Sequence, residues 1–338
     1  MVKKMKKFVA ATLVAASIIS TFSLTAFADT NTSTSVTAAT WMSALQDNIS
    51  IKDITIPGTH DSGTKDIGSE WDQPKEKALR PWAITQTTSI TEQLNNGIRL
   101  LDLRLSYKGG EIKIYHGTGF FGSSCNLTFL EAYKQIVDFL LTHPNETVIV
   151  TLKNEENSMS DDYRKKLNAY LAAMKDSGIV YTNDSIPTLG EVRGKIVLYN
   201  RLSDYGFTQG INYSNQSTIE DHFECTADEK KNYVEESLQR IENKSNDSNK
   251  IVVTYTSTNP ISNCHAFDNY SWYDYLNPVK LATDLGTYLG GAEIDTTCSV
   301  VNTYLSERSL DKASCYGWFY MDKPSNDLIA KIYKVNFQ

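Results

Sequence analysis

Two histidines stand where short apolar runs give way to turn residues, and histidine is the side chain that exchanges protons most readily near neutral pH. His60 lies in the sequence PGTHDSGT, and His116 lies in the sequence IYHG. They are two of the five histidines in the chain. A single histidine at the end of a strand is more often a surface or capping residue than a catalyst. The pair therefore predicts acid–base chemistry only if other polar groups converge on it.

A charged pair interrupts the apolar run that precedes His116. Asp102 and Arg104 lie in the sequence GIRLLDLRL, and residues two apart on a strand face the same side of the sheet. A carboxylate and a guanidinium within an apolar strand need a partner or a substrate to offset their desolvation. The spacing thus indicates a polar site on one face of this strand.

Short β-rich runs alternate with helical stretches along the rest of the chain. The predicted strands cover residues 52–56, 98–105, 111–115, 147–152, 195–199, 251–255 and 317–321. The predicted helices cover residues 88–95, 128–141, 161–175, 227–243, 278–288 and 326–333. This alternation predicts an α/β fold with a single (β/α) barrel, and a doubly wound sheet is the alternative. In a barrel the working groups stand at the carboxyl ends of the strands, where both histidines are predicted to lie.

The amino-terminal residues have the layout of an exported protein. Four lysines precede an apolar run that ends near Phe22, and the sequence AFA stands before Asp29. This pattern is typical of a secretory signal peptide, so we expect residues 1–28 to be removed and the protein to be secreted. Residues 29–40 are expected to be a polar linker. Residues 41–338 contain no composition break and are expected to form one domain.

The chain is acidic, and its charge argues against several classes of partner. The formal net charge is −7, and loss of the four amino-terminal lysines takes it to −11. No basic run follows residue 28, which argues against binding to nucleic acid or, by charge, to an anionic membrane. No later stretch approaches the roughly 20 apolar residues of a membrane span. We expect a soluble monomer whose membrane contact, if any, is peripheral.

The five cysteines include no C-x-x-C pair, which disfavours a zinc or iron–sulfur site. Export permits disulfides among them, and the sequence leaves their pairing open.

A series of ordered sequence blocks resembles the bacterial secreted phosphatidylinositol-specific phospholipases C. The blocks are IPGTHDSGT at 56–64, QTTSITEQL at 86–94, GIRLLDLR at 97–104, YHG at 115–117, LKNE at 152–155, GKIVLYNR at 194–201 and GWFYMD at 317–322. The resemblance covers nearly all of residues 41–338, which it identifies as an X-type catalytic domain with a distorted (β/α)8, TIM-type barrel. It implies cleavage of phosphatidylinositol to diacylglycerol and inositol 1,2-cyclic phosphate.

The same resemblance implies roles for the catalytic residues. His60 would be the general base on the inositol 2-hydroxyl, and His116 the general acid on the departing glycerol oxygen. Arg104 would contact a non-bridging phosphoryl oxygen. Asp322 would fix the tautomer of His60, and Asp61 would bridge Arg104 and the acid side of the site.

Further positions match residues that bind the head group. Lys153, Arg201 and Asp221 match positions that hydrogen-bond to inositol hydroxyls, and Asp102 would support the guanidinium at the phosphate. Phe223 falls where the family usually has a tyrosine that stacks on the sugar ring, so the phenol hydroxyl is missing here. Related calcium-dependent enzymes collect acidic ligands where the guanidinium is expected, so the resemblance implies no metal and no cofactor.

Exposed aromatic side chains are the expected means of reaching phosphatidylinositol in a membrane, since the net charge gives no help. Trp71 and Trp272 are the candidates, and packing within loops is the other interpretation of both. The sequence leaves open whether glycosyl-phosphatidylinositol anchors are also cleaved.

Two other functions remain alternatives. One is a related barrel phosphodiesterase of the glycerophosphodiesterase or sphingomyelinase D type, which would need a metal. The other is a noncatalytic protein that binds inositol or glycan head groups.

Overall fold

The computed structural model describes residues 36–67, 83–117, 122–258, 277, 280, 293–311 and 314–338. The expected signal peptide, the candidate membrane residues Trp71 and Trp272, and most of the helix expected over 278–288 lie outside the described residues. Of the expected linker, residues 36–40 are described, and a 3-10 helix over Ala38–Ala44 begins within it.

The described strands and helices alternate along most of the chain. The strands are β1 (Ile56–Thr59), β2 (Leu100–Lys108), β3 (Glu111–His116), β4 (Ser123–Thr128), β5 (Val148–Asn154), β6 (Val180–Tyr181), β7 (Ile196–Arg201), β8 (Ile211–Asn212), β9 (Ser217–Glu220), β10 (Ile251–Tyr255) and β11 (Trp318–Met321). The helices are α1 (Ile90–Asn95), α2 (Phe129–Thr142), α3 (Asp161–Asp176), α4 (Leu189–Val192), α5 (Ala227–Glu242), α6 (Glu293–Glu307) and α7 (Asn326–Lys334).

The main sheet is a continuous parallel path in the order β6-β7-β5-β2-β1-β11-β10-β9. Two hydrogen bonds cross its concave side: the Tyr199 hydroxyl pairs with Ser217, and the Tyr320 hydroxyl pairs with Thr151. These pairs join β7 to β9 and β5 to β11, which are not neighbours in the sheet. The sheet must therefore curl on itself, and the expected distorted (β/α)8 barrel is confirmed.

Two features distort the barrel. Strands β3 and β4 form an antiparallel extension of β2 that stands outside the parallel path. Among the described strands, no ladder joins the β6 end of the path to the β9 end. The parallel strands therefore curl around the interior, and no ladder between described residues closes the barrel.

The helices begin at capping residues that the sequence displays. Thr128 accepts a hydrogen bond from the Glu131 amide at 3.2 Å, and Glu131 accepts one from the Thr128 amide at 2.8 Å, which is a complete capping box for α2. Ser160 accepts a hydrogen bond from the Tyr163 amide at the start of α3. None of the described helices is long and apolar enough to cross a bilayer.

The first strand differs from its expected position. Residues 52–56 were expected to form it, but Ile51–Asp53 is a 3-10 helix, and β1 contains Pro57 and Gly58, two residue types that usually end strands. Pro57 is tolerated because pairing with β2 starts only at Gly58, so its missing amide costs no ladder bond. A Cβ on Gly58 would lie 2.6 Å from the Leu100 Cβ, so only glycine permits this close approach.

Further elements were missed because the sequence signal was short or weak. Strands β4, β6, β8 and β9 and helices α4 and α6 were not expected. Three of these strands have four residues or fewer, too few to show an alternating pattern.

A buried ion pair closes the amino-terminal end of the barrel. Arg99 and Glu146 are almost wholly inaccessible to solvent, and the Arg99 Nε donates to Glu146 at 2.9 Å. Glu146 also accepts the backbone amides of Met42 and Ser43, so the pair ties the 3-10 helix of residues 38–44 to the barrel.

Candidate active site

The polar side chains singled out in the sequence gather at the carboxyl end of the barrel. They lie in or directly after parallel strands, except for His116, which ends the antiparallel strand β3. These residues are His60 and Asp61 after β1, Asp102 and Arg104 in β2, Lys153 in β5, Arg201 in β7, Asp221 after β9 and Asp322 after β11.

The His60 imidazole is held at both ring nitrogens. Its Nδ1 lies 2.8 Å from the Asp322 carboxylate, and its Nε2 lies 3.2 Å from the Asp61 carboxylate and 2.6 Å from the Arg104 guanidinium. Burial and Arg104 oppose the imidazolium, but the Asp61 and Asp322 carboxylates together raise the pKa of His60 above its ordinary value. The base candidate thus has a fixed orientation and a tuned basicity.

Asp61 links the two imidazoles. Its Oδ2 lies 3.2 Å from the His60 Nε2 and 3.1 Å from the His116 Nε2, and its Oδ1 lies 2.7 Å from the Arg104 Nε. Burial opposes ionisation, yet Arg104, His60 and His116 hold the pKa of Asp61 well below its ordinary range. Asp61 also has a φ of 45°, a left-handed backbone conformation that is unfavourable for a non-glycine residue.

The side chains of Thr85 and Gln86 stabilise the loop that carries His60 and Asp61. The Gln86 amide group donates to the carbonyl oxygens of His60 and Met321, both at 2.8 Å. The Thr85 hydroxyl donates to the His60 carbonyl at 3.0 Å. The QTTSITEQL block therefore begins with the residue that locks the end of β1 to the end of β11.

The Arg104 guanidinium lies among three carboxylates. Its Nε contacts Asp102 at 3.0 Å as well as Asp61, and its Nη1 contacts Glu155 at 3.0 Å. Burial opposes the charge, but these carboxylates raise the pKa of Arg104 well above its ordinary value. Glu155 also binds the Lys153 ammonium at 3.0 Å, so it sits between two cations.

One group of side chains has donor atoms that suit a small cation. His60, Asp61 and Asp102 offer ligand atoms within 4.8 Å of one another. The Arg104 Nε already contacts both carboxylates, however, and supplies the positive charge between them. A metal that bound both carboxylates would have to displace this guanidinium, so the donor set fits a metal poorly.

Two of the predicted head-group residues, Arg201 and Asp221, lie close enough to the catalytic cluster to interact with it electrostatically. Arg201 donates to the Tyr255 hydroxyl at 2.9 Å and stacks over the Tyr213 ring. Burial raises the pKa of Asp221, against the opposing effect of Arg201 and His60. Phe223 is 45% exposed, on the loop that follows β9.

Sequence reasoning missed two residues of the site, Glu155 and Tyr255. Glu155 follows Lys153 by two residues, and this spacing on a strand end was a usable signal. Tyr255 ends an apolar strand, where a tyrosine is ordinary, so its contact with Arg201 appears only once the strands are placed.

The arrangement can move a proton onto one imidazole and off another beside a fixed positive charge. His60 and His116 contact the same carboxylate oxygen of Asp61 and open into the same site. The Arg104 guanidinium contacts both Asp61 and His60. A phosphodiester placed here would meet a base, an acid and a cation at once.

Comparison with known proteins identifies relatives of this chain. Residues 76–202 match the family "Phosphatidylinositol-specific phospholipase C, X domain". The chain is 39% identical over 167 residues to a 1-phosphatidylinositol phosphodiesterase of Listeria monocytogenes, a match that covers 48% of this chain and 49% of the relative. It is 28% identical over 262 residues to the enzyme of the same name from Staphylococcus aureus, covering 70% of this chain and 80% of the relative.

A solved structure of a similarly named bacterial protein also resembles this chain. The phosphatidylinositol-specific phospholipase C from Listeria monocytogenes superposes with a TM-score of 0.63 at 25% sequence identity. This superposition covers 90% of the present chain and 100% of the Listeria chain. The sequence match spans about half the length of the Listeria relative, and the structural match spans the whole of the solved Listeria chain.

Proposed function

Because residues 76–202 match the phosphatidylinositol-specific phospholipase C X-domain family and the chain is similar to bacterial 1-phosphatidylinositol phosphodiesterases, we propose that it cleaves phosphatidylinositol to diacylglycerol and inositol 1,2-cyclic phosphate. The observation that carries the proposal is the pair of imidazoles on one Asp61 oxygen, with Arg104 beside them.

His60 begins the reaction as the base. Asp322 accepts the Nδ1 proton of His60, which leaves Nε2 unprotonated and able to take the proton of the inositol 2-hydroxyl in place of its contact with Arg104. The 2-oxygen then attacks phosphorus and forms the ring of the cyclic phosphate. The inositol 2-hydroxyl and the phosphate belong to the same substrate molecule. This step is therefore intramolecular, which removes much of its entropic cost.

His116 completes the reaction as the acid. The bond between phosphorus and the glycerol oxygen breaks, and the His116 Nε2 gives its proton to that oxygen, so diacylglycerol leaves as the neutral alcohol. Asp61, whose pKa is held well below its ordinary range, stays ionised and lies 3.1 Å from the His116 Nε2. Arg104 offsets the charge that builds on the phosphoryl oxygens.

Phosphorus NMR of phosphatidylinositol turnover with a chelator present tests the proposal directly. We expect a cyclic phosphate signal, undiminished by EDTA. Activity that EDTA abolishes would favour the metal-dependent phosphodiesterase alternative instead.

Substitution of the acid separates catalysis from binding. His116→Ala should lower turnover by about 100-fold or more and leave binding of soluble myo-inositol 1-phosphate intact. His143→Ala is the matched control, because His143 caps the end of α2 and should leave both quantities unchanged. Unchanged release of inositol phosphate from His116→Ala would refute the assigned role, and head-group binding by a wild type without turnover would support the noncatalytic alternative.

The proposal extends to where and how the protein meets its substrate. It is exported, acts as a monomer and touches the membrane only transiently, through aromatic side chains that include Trp71 and Trp272. The amino-terminal pattern of residues 1–28 supports export, and a mature terminus near Asp29 in the secreted protein would test it. Trp71→Ala should weaken activity on phosphatidylinositol vesicles and spare the hydrolysis of soluble inositol cyclic phosphate, whereas equal losses would indicate a folding role.

A further inference from the structure

Arg201 is a cation at the site that makes no ion pair with a carboxylate among the described residues, although its charge acts on the nearby Asp221. Its guanidinium makes one hydrogen bond there, from Nη1 to the Tyr255 hydroxyl at 2.9 Å, and lies 4.3 Å above the centre of the Tyr213 ring. Arg104, by contrast, is fixed by three carboxylates. The direction of Arg201 therefore depends on a neutral phenol, which leaves its remaining N–H groups for a ligand.

Tyr255 projects from the last position of β10 into the barrel. The preceding residue, Thr254, points the other way and contacts Ser237 of helix α5 at 3.0 Å, so the alternation of the strand turns Tyr255 inward. Its side chain is buried, stacks on Tyr320 at 4.6 Å between ring centres, and accepts a second hydrogen bond from the Tyr213 hydroxyl at 3.2 Å.

The same tyrosine also touches the base. The rings of Tyr255 and His60 meet edge to face at 5.9 Å between centres. One rigid aromatic side chain thus contacts both the imidazole that would take the 2-hydroxyl proton and the guanidinium that would hold the inositol ring. The separation of these two groups is set by a single residue whose two χ angles are fixed by packing.

We infer that Tyr255 is a positioning residue for head-group recognition. Its hydroxyl aims Arg201 at the inositol hydroxyls, and its ring sets the distance between Arg201 and His60, so that a bound inositol presents its 2-hydroxyl to the base. The inference rests on the proposed function and assigns the phenol to binding and the ring to alignment.

Two substitutions at Tyr255 separate the hydroxyl from the ring. Tyr255→Phe keeps the ring and removes the hydrogen bond to Arg201, so the Kd for myo-inositol 1-phosphate and the KM for phosphatidylinositol in detergent micelles should each rise roughly 10-fold, with kcat within about twofold of wild type. Tyr255→Leu also removes the support behind His60, and kcat should fall as well. The measurements are calorimetric titration and initial rates.

Tyr316→Phe is the matched control. It removes a buried phenol hydroxyl that donates to Glu242 before the start of β11, away from Arg201 and His60, so both constants should stay within about twofold of wild type. A second control repeats Tyr255→Phe in an Arg201→Ala background, where it should change Kd little, because the residue on which the hydroxyl acts is gone.

Defined results overturn the inference. An unchanged Kd in Tyr255→Phe would do so, as would an effect that persists in full without Arg201, or failure of the wild type to bind the probe. A wild type that binds myo-inositol 1-phosphate but does not cleave phosphatidylinositol refutes the proposed reaction alone, since the comparison of Kd values still tests Tyr255.

Discussion

At the scale of single residues, Asp61 couples the two histidines because one of its oxygens contacts both rings. A proton gained by either imidazole changes the electrostatic potential at the other through this shared carboxylate. The pH dependence of the reaction should therefore report the cluster more than any one ring.

Arg104→Lys should lower kcat by roughly 100-fold or more. The guanidinium contacts Asp61 and Asp102 through Nε and Glu155 through Nη1, and a lysine ammonium cannot reproduce this forked geometry. Initial rates on micellar phosphatidylinositol measure the effect, with Arg164→Lys on α3 as the control. A kcat near wild type would remove Arg104 from the reaction.

Asp322→Asn should shift the acidic limb of the pH profile of kcat/KM. His60 must be neutral to act as the base, and Asp322 is one of the carboxylates that raise its pKa. Removing that negative charge lowers the pKa of His60, so the limb moves to lower pH while the maximal rate falls by about 100-fold or more through loss of the tautomer. Asp327→Asn, an exposed carboxylate in the first turn of α7, is the control and should shift nothing.

Much of this site could be predicted from sequence because its residues follow strands. The ends of parallel strands meet at one edge of a barrel, so His60 and Arg104 could be placed together before their distances were known, and the family resemblance added Asp322. Tyr255 could not be placed, since its contact with Arg201 depends on how β7 and β10 face each other across the interior. That relation belongs to the curl of the sheet and leaves no local pattern in the chain.

At the scale of elements, the central strand β1 shows why boundaries are harder to predict than functional blocks. Pro57 and Gly58 are residues that usually end strands, and local propensity alone excludes them from β1. Tertiary packing decides otherwise, because Leu100 and Phe319 on the two flanking strands approach so closely that only glycine fits between them.

Gly58→Ala should therefore destabilise the fold and displace the base. The added Cβ would lie 2.6 Å from both the Leu100 Cβ and the Phe319 carbonyl oxygen, and such overpacking costs about 1–3 kcal/mol. Urea denaturation measures this loss, and kcat should fall because His60 follows β1 directly. Gly109→Asn at the tip of the β2–β3 hairpin is the control, since a Cβ there meets nothing within 4 Å. An unchanged unfolding midpoint in Gly58→Ala would contradict the packing described here.

At the scale of the whole molecule, chemistry and stability occupy opposite ends of the barrel. The reactive cluster lies at the carboxyl ends of the strands, while Arg99 and Glu146 tie residues 38–44 to the other end. This separation is general in barrels of this class, and it lets the two ends be altered independently.

Glu146→Gln should lower the free energy of unfolding by about 3–5 kcal/mol, because it leaves the Arg99 charge buried without a counter-ion. Thermal and urea unfolding measure the loss, and kcat well below the transition should stay near wild type. Lys134→Ala, which breaks an exposed ion pair with Asp138 on α2, is the control and should change stability by less than about 1 kcal/mol. A loss of kcat without a loss of stability in Glu146→Gln would show that the two ends are not independent.

The β3–β4 hairpin gives the two imidazoles different mechanical supports. His60 follows a stave of the barrel that is paired on both sides, whereas His116 ends a hairpin strand whose outer neighbour, β4, pairs among the described strands with β3 alone. Partial opening of the hairpin would withdraw the proton donor while the staves and the base stayed in place. On moderate heating, activity should then be lost at a lower temperature than the circular dichroism signal of the fold. Amide hydrogen exchange should also be faster in β4 than in β1.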